Sequence, residues 1–341
     1  MSGNASYHLS NCSILAVTTV EAPEIVTSAE LDTALAPAYT ETRTVAGQLE
    51  RLAGVKQRRW FPADEDFTDG AVEAGRRALH TAGISPEQVG LVINASVTRP
   101  HLEPGISAKV HAELGLPRNC MDFDVTNACL GVVNGMQIAG TMIDAGQIRY
   151  GLIVASESSR QMQEATIKRL NAGGATKSDV KQAFATMTLG SGAVAILIGP
   201  TDAHPEGHRL LGGITRAGTE HHRLCVGSMD GMRTEASKLF REGIDLALDA
   251  YTESAEDGWD WKDMDWYVAH QTSTAHIATL AQRLGKPLEK FPTTISEYGN
   301  IGPAAMPYTL GTFQDQFATG DRLLLMGIGS GLNASFVEVQ W

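Results

Sequence analysis

Basic residues are scarce in this sequence: 27 lysines and arginines stand against 39 aspartates and glutamates, a formal charge of −12. Nucleic-acid binding needs clustered cations to neutralise phosphates, so that class is excluded, and an anionic ligand would require a local basic patch. Cysteine is scarcer still. Cys12, Cys120, Cys129 and Cys225 form no CxxC pair, which argues against a zinc site and a disulfide framework and suits a reducing cytoplasm. No apolar run approaches the ~18 residues of a membrane span. The first eight residues, Met-Ser-Gly-Asn-Ala-Ser-Tyr-His, hold no basic stretch, and Ser13–Val17 is too short for a secretion signal. What is present, 43% hydrophobic residues and 19% charged over 341 positions, suffices for one large or two medium globular units with a sizeable core.

The apolar runs read as strands where they are unbroken and as helices where they recur every three or four residues. Strands are expected at Ser13–Val20, Leu91–Ala95, Tyr150–Ala155, Met187–Ile198, Trp266–His270 and Arg322–Met326. Helical spacing appears over Ser28–Leu35, Thr42–Leu52, Asp66–Ala82, Ile106–Leu114 and Thr274–Leu284, with Pro37 read as a break. Residues Gln163–Asp179, rich in Lys, Gly, Ser and Thr, read as a polar excursion. Arg51, Lys56, Arg58 and Arg59 cluster before Trp60, either as a solvated face or as a patch meeting a phosphorylated ligand. Unbroken apolar strands alternating with helices imply an α/β fold with a sheet covered on both faces.

The second half repeats the first. Trp266–His270 parallels Leu91–Ala95, Thr274–Leu284 parallels Ile106–Leu114, and Arg322–Met326 parallels Tyr150–Ala155. Cys129 precedes Leu152 by 23 residues (152 − 129), as Asn300 precedes Leu323 (323 − 300). The expected division is an N-terminal half over 1–200 and a C-terminal half over 208–341, with the site between equivalent loops.

The chain is organised around Asp122-Phe-Asp-Val-Thr-Asn-Ala-Cys129-Leu-Gly-Val-Val-Asn-Gly-Met136, a short strand running into a helix with Cys129 at the joint. A thiol at a helix N-terminus is expected to have a lowered pKa and so to serve as a nucleophile. The small neighbours Ala128 and Gly131 would admit a substrate carbonyl. A lone cysteine between Ala and Leu is equally a small core hydrophobe. His270 ends a strand, and Asn300 lies in Glu297-Tyr-Gly-Asn-Ile-Gly-Pro-Ala304. A neutral imidazole and an amide can each donate to an enolate or tetrahedral oxyanion; alone, each is also an ordinary capped histidine or turn residue. In Met326-Gly-Ile-Gly-Ser330-Gly-Leu-Asn-Ala-Ser335 only ten residues follow Gly331, too few for a dinucleotide-binding unit, so a tight loop whose Ser330 N–H completes an oxyanion hole, or a plain glycine-rich bend, fits better.

Together these four ordered motifs resemble the thiolase superfamily in its ketoacyl synthase III branch, over nearly the whole chain. Within that branch, Asn94-Ala-Ser-Val-Thr-Arg-Pro-His-Leu-Glu-Pro104, Gly213-Ile-Thr-Arg-Ala-Gly-Thr-Glu220, Leu224-Cys-Val-Gly227 and the terminal Val-Gln-Trp341 look most like the OleA family, the acyl-CoA head-to-head condensing enzymes of bacterial long-chain olefin biosynthesis. The resemblance implies a layered α-β-α-β-α fold from two duplicated halves and a cytoplasmic homodimer. It implies non-decarboxylative Claisen condensation of two fatty acyl-CoA molecules. Cys129 would be acylated, Glu103 from the partner subunit would remove the α-proton, His270 and Asn300 would stabilise the enolate, and the N–H groups of Cys129 and Ser330 would hold the second oxyanion. No metal or redox cofactor is implied, and downstream olefin-pathway enzymes are possible partners. By residue type alone Glu103 is only a carboxylate near a helix N-terminus. The rival readings are a decarboxylating ketoacyl synthase III using malonyl-carrier protein, which needs no glutamate base, and a silent thiolase-fold binding partner.

Overall fold

Unbroken apolar runs become central strands. The computed structural model describes residues 4–341, in which ten strands join one hydrogen-bonded sheet: β1 (Ser6–His8), β2 (Ser13–Glu21), β3 (Val89–Asn94), β4 (Met121–Asp124), β5 (Tyr150–Glu157), β6 (Gly192–Gly199), β7 (His208–Ala217), β8 (Trp266–Ala269), β9 (Arg322–Gly329) and β10 (Asn333–Gln340). Outward from the centre, one side reads β2-β6-β5-β3-β4 and the other β7-β10-β9-β8, with β1 on β7. The directions repeat as well: β3 runs parallel to β5 as β8 does to β9, and the inner pairs on both sides are antiparallel. Among the described residues β2 and β7 pair at Ser13↔Arg209 and Ile14↔His208, and the second side has no counterpart of β4.

Side chains alternate along each strand, and the alternation sorts the core into layers. Leu152 and Val154 of β5 pack outward against α1 (Asp69–Ala82) and α2 (Ile106–Glu113), while Ile153 and Ala155 pack inward. Leu324 and Met326 of β9 pack outward against α4 (Ala236–Glu253) and α5 (Thr274–Leu284), while Leu323 and Leu325 pack inward. Between the two inner faces lie α3 (Gly131–Asp144) and α6 (Ala305–Phe313), whose Val132, Met136, Met306 and Leu310 are buried. The result is the five-layer α-β-α-β-α arrangement of two repeats that the resemblance implied. Cys129 precedes α3 and Asn300 precedes α6, so both arrive at the central layer at equivalent places.

Three local expectations fail. Residues 163–179 are not an excursion: helices Arg160–Asn171 and Lys177–Met187 occupy most of that span, with Leu170, Ala183 and Met187 turned into a core of their own. Met187 ends the second of these helices, so the following strand starts only at Gly192. Pro37 opens rather than breaks a helix, sitting in the first turn of Ala36–Thr42 where its missing N–H costs nothing; a separate helix then covers Gln48–Ala53.

Candidate active site

The nucleophile turn is held tightly from three sides. Ala128 adopts φ 45°, a left-handed conformation uncommon for a residue with a side chain. Asn127 donates to Asn134 Oδ1 of α3 at 2.8 Å and accepts from Asn333 Nδ2 at 3.3 Å. The glycine-rich end of β9 lies directly on the turn: a Cβ on Gly329 would sit 3.1 Å from Cys129 N, and one on Gly327 would sit 2.5 Å from Leu130 Cδ2. Close backbone approach is the work of these glycines.

Cys129 is half-buried, reached by a cavity but densely packed around its sulfur. The thiol pKa is pushed up by burial, with Cys225 and Glu157 adding to the effect. This reverses the sequence expectation. Helix α3 begins at Gly131, after Leu130 at its cap, so Cys129 stands before the first turn, and desolvating a thiolate outweighs the favourable helix end. At rest the sulfur carries its proton, and a neighbour must take it as an acyl group arrives.

An imidazole that could accept it lines the same cavity. His270 is 2% exposed, with its backbone N–H donated to Met326 O at 2.9 Å. Burial, helped by His276, lowers its pKa to about 3, so the ring is neutral across the working range. Its Nδ1 is buried and has no partner among the described residues. The next residue, Gln271, is fully buried and fixes the loop: Nε2 donates to Ala269 O at 2.9 Å and Pro292 O at 3.3 Å, and Oε1 accepts from Thr294 N at 3.0 Å and Ile295 N at 3.3 Å. His276, in the first turn of α5, is a second buried neutral imidazole on the cavity, its pKa lowered by burial to about 4.

Asn300 is oriented by its own helix start. Its Oδ1 accepts from Gly302 N–H at 2.9 Å, which assigns Nδ2 as the amide end left to donate to a substrate oxygen. Its backbone is tied on both sides to a crossing segment, Asn300 N to Thr188 O and Gly190 N to Asn300 O, each at 2.9 Å. Gly190 permits that crossing, since a Cβ there would lie 1.8 Å from Tyr298 O.

Cys129, His270, Asn300 and Ser330 therefore line one cavity of about 660 Å³. Its remaining wall is mostly apolar, including Leu49, Leu170, Phe184, Met187, Phe240 and Leu332. Two mobile-proton groups, a donor amide and a long apolar chamber suit acyl transfer to sulfur followed by chemistry at a stabilised oxyanion.

The comparisons with known proteins agree with this geometry. Residues 123–216 match the family model described as 3-oxoacyl-[acyl-carrier-protein (ACP)] synthase III, and 254–341 match its C-terminal counterpart. The chain is 38% identical to an acyl-CoA:acyl-CoA alkyltransferase of Xanthomonas campestris, covering 97% of this chain and 99% of that one. It is 34% identical to another from Shewanella oneidensis, covering 94% and 96%. The chain belongs to the acyl-CoA:acyl-CoA alkyltransferase (OleA) family. A crystal structure of a cysteine-to-serine variant of Xanthomonas campestris OleA with bound lauric acid and lauroyl-CoA superposes with a TM-score of 0.94 at 38% identity, covering 98% of this chain and all of that one.

Glu103, the base that the OleA resemblance implied, is absent from this cavity. It is exposed on the 97–105 loop, beside Leu102, which is 91% exposed. Arg58 and Arg59 do not form a phosphate patch. Arg58 is fully buried and donates to Val26 O, Ser28 Oγ and Met187 O, with burial lowering its pKa to about 10; Arg59 pairs with Glu21 at 2.5 Å. Sequence reasoning missed Gln271, His276, Cys225 and Glu157. Gln271 carried a signal in its adjacency to His270, and Cys225 one in the Leu224-Cys-Val-Gly227 motif.

Proposed function

We propose that this protein joins two fatty acyl-CoA molecules head to head, without decarboxylation, to a 2-alkyl-3-ketoacyl product released as the 3-keto acid, the first step of long-chain olefin biosynthesis. The observation that carries the reading is the shared cavity: a thiol, a neutral imidazole and an oriented amide on one apolar chamber, in a chain of the alkyltransferase family. Cys129 sulfur attacks the first thioester, its proton passes by way of neutral His270 to the departing CoA sulfur, and an acyl-cysteine forms. Glu103 of a second copy then takes an α-proton from the second acyl-CoA. His270 and the Asn300 amide donate to the enolate oxygen, the α-carbon bonds to the acyl-cysteine carbonyl, and Cys129 leaves. The N–H groups of Cys129 and Ser330 hold the tetrahedral oxyanion. Water hydrolyses the product thioester, so two acyl-CoA and one water give one keto acid and two CoA.

Several observations support the homodimer. Glu103 does not line its own cavity, and β4 is an open sheet edge on which Met121 is 44% and Phe123 36% exposed, an arrangement suited to a partner strand. Fatty acyl-CoA substrates need no metal or redox group, because the thioester itself acidifies the α-proton and supplies the leaving group. We further place the protein in the cytoplasm, where downstream olefin-pathway enzymes would take up the keto acid, and divide the chain into halves at 1–200 and 208–341, in keeping with the mirrored strand order.

The test mixes purified protein with myristoyl-CoA alone and follows free CoA with a thiol reagent and products by mass spectrometry. The expected result is CoA release with a 2-alkyl-3-keto acid or its decarboxylated ketone. Release of free fatty acid only, with a keto product appearing once malonyl-carrier protein is added, would transfer the protein to the decarboxylating synthases.

A further inference from the structure

Glu157 ends β5, and the residue is 4% exposed. Its carboxylate accepts from Val97 N–H at 2.6 Å, Thr98 N–H at 3.1 Å and Thr98 Oγ1 at 2.8 Å. On another side it meets the Asn300 turn, since a Cβ on Gly302 would lie 3.5 Å from Glu157 Cδ. Val97 and Thr98 are the root of the loop that carries Glu103. The far end of that loop has an anchor of the same kind: Asp124, its side chain 8% exposed, accepts from Ile106 N–H at 3.2 Å and Ser107 N–H at 2.9 Å and pairs with Arg99 at 3.2 Å. Two buried carboxylates thus grip the backbone on either side of an exposed tip.

A buried carboxylate is costly to fold around, and among the described residues Glu157 has no salt-bridge partner, Arg99 favouring its charge from a distance while pairing with Asp124. Burial raises its pKa to about 7 against the three donors that favour the ion. A neutral amide or a serine would serve for simple packing. What the carboxylate adds is two acceptor oxygens aimed at two successive backbone N–H groups, a rigid clamp on where the loop leaves the sheet.

We propose that Glu157 is a positioning residue for the condensation step: it fixes the root of the 97–105 loop and thereby the place at which Glu103 is presented to the cavity of a second copy. This rests on the reading that Glu103 acts across a dimer. Each protomer then uses its own Glu157 to serve its partner's cavity, although that Glu157 lies beside its own Asn300 turn.

Mixed dimers separate the possibilities. Two copies with different affinity tags are co-expressed, one carrying Cys129→Ala and the other Glu103→Gln, so that a single cavity retains both a thiol and a facing glutamate. Glu157→Gln, which turns an amide donor toward an N–H donor, is then added to one copy or the other. In the copy that supplies Glu103 it lowers keto-acid formation from myristoyl-CoA about tenfold, the scale expected when a reacting group is displaced by a fraction of an ångström. Acylation of Cys129, read by intact mass, stays within about twofold there. In the copy that supplies Cys129, where Glu157 also lies beside the Asn300 turn, the loss of condensation is several-fold smaller. Thr98→Val, which keeps both backbone N–H bonds to Glu157 but removes the hydroxyl bond to it and the one accepted from Ser158 N–H at 3.1 Å, shows the same asymmetry in smaller measure and guards against a misfolded Glu157 variant. Equal losses in both placements, or none in either, overturn the proposal. A parent mixed dimer that acylates but makes no keto acid overturns the cross-dimer reading of Glu103 and the present proposal with it.

Discussion

Replacing Gly190 with alanine tests whether the placement of Asn300 governs condensation separately from the acylation of Cys129. A Cβ at Gly190 would stand 1.8 Å from Tyr298 O and 3.0 Å from Tyr298 C, and both are backbone atoms that no rotamer change can move. To bring the oxygen contact out to 3.0 Å the two segments must part by at least 1.2 Å. The bonds that span the gap are Asn300 N to Thr188 O and Gly190 N to Asn300 O, each 2.9 Å. Losing both, at about 1 kcal/mol each, with an overpacking cost of similar size, gives about 3 kcal/mol of destabilisation. For a chain of 341 residues the unfolding entropy is roughly 0.7 kcal/mol/K, so Tm falls by about 4 °C. A shift of about 1 Å at a reacting group costs on the order of a hundredfold. The assay compares, at a temperature well below Tm, the acyl-Cys129 burst from myristoyl-CoA with the rate of keto-acid formation. The burst should stay near that of the unmodified protein while condensation falls about a hundredfold. Unchanged condensation with a Tm shift below 1 °C would refute the reasoning, because the Tyr298 turn would then have yielded without moving Asn300.

Two further changes probe the same cavity. Asn300→Asp keeps an oxygen for Gly302 N–H but offers an acceptor where the amide donates, so condensation should drop by about 10²–10³ with acylation preserved; wild-type condensation in that variant would remove Asn300 from the oxyanion. His276 has a folded pKa of about 4 against 6.5 unfolded, so between those values the unfolded chain binds the extra proton and stability falls as pH falls. From pH 7.5 to 5 this site alone costs about 2 kcal/mol, and His270, lowered to about 3, costs as much again. Glu157 works the other way, its raised pKa returning about 2 kcal/mol over the same interval. The clean readout is therefore a difference: His276→Leu should lose about 2 kcal/mol less than the unmodified protein between the two pH values in urea unfolding, and equal losses would show that His276 is not held neutral by the fold.

What the sequence revealed and what it hid follow from the range of the interactions. The layered sheet was legible because an unbroken run such as Tyr150–Ala155 must be covered on both faces, and that demand is written in consecutive residues. Cys129, His270 and Asn300 were legible because each stands at a strand end or helix start, where local pattern alone marks a break. The cavity wall was not. Helices Arg160–Asn171 and Lys177–Met187 are polar on average, and the narrow stripe of Leu170, Val180, Ala183, Phe184 and Met187 that lines the chamber is diluted by lysine, glutamine and threonine. Arg58 and Glu157 were read as surface, or passed over, because charged residues are almost never fully buried unless something holds them. Their partners, Val26, Ser28 and Met187 for the one and Val97 and Thr98 for the other, are strangers in sequence. The thiol shows the limit most directly. Sequence places Cys129 ahead of a helix and so argues for a thiolate, but burial opposes it, with the glycine-rich end of β9 lying on the turn and Cys225 adding charge repulsion, both from the other repeat, and Glu157 adding to it from its own. A thiol kept protonated in this way is a product of closing two repeats on one cavity. Neither repeat encodes it alone.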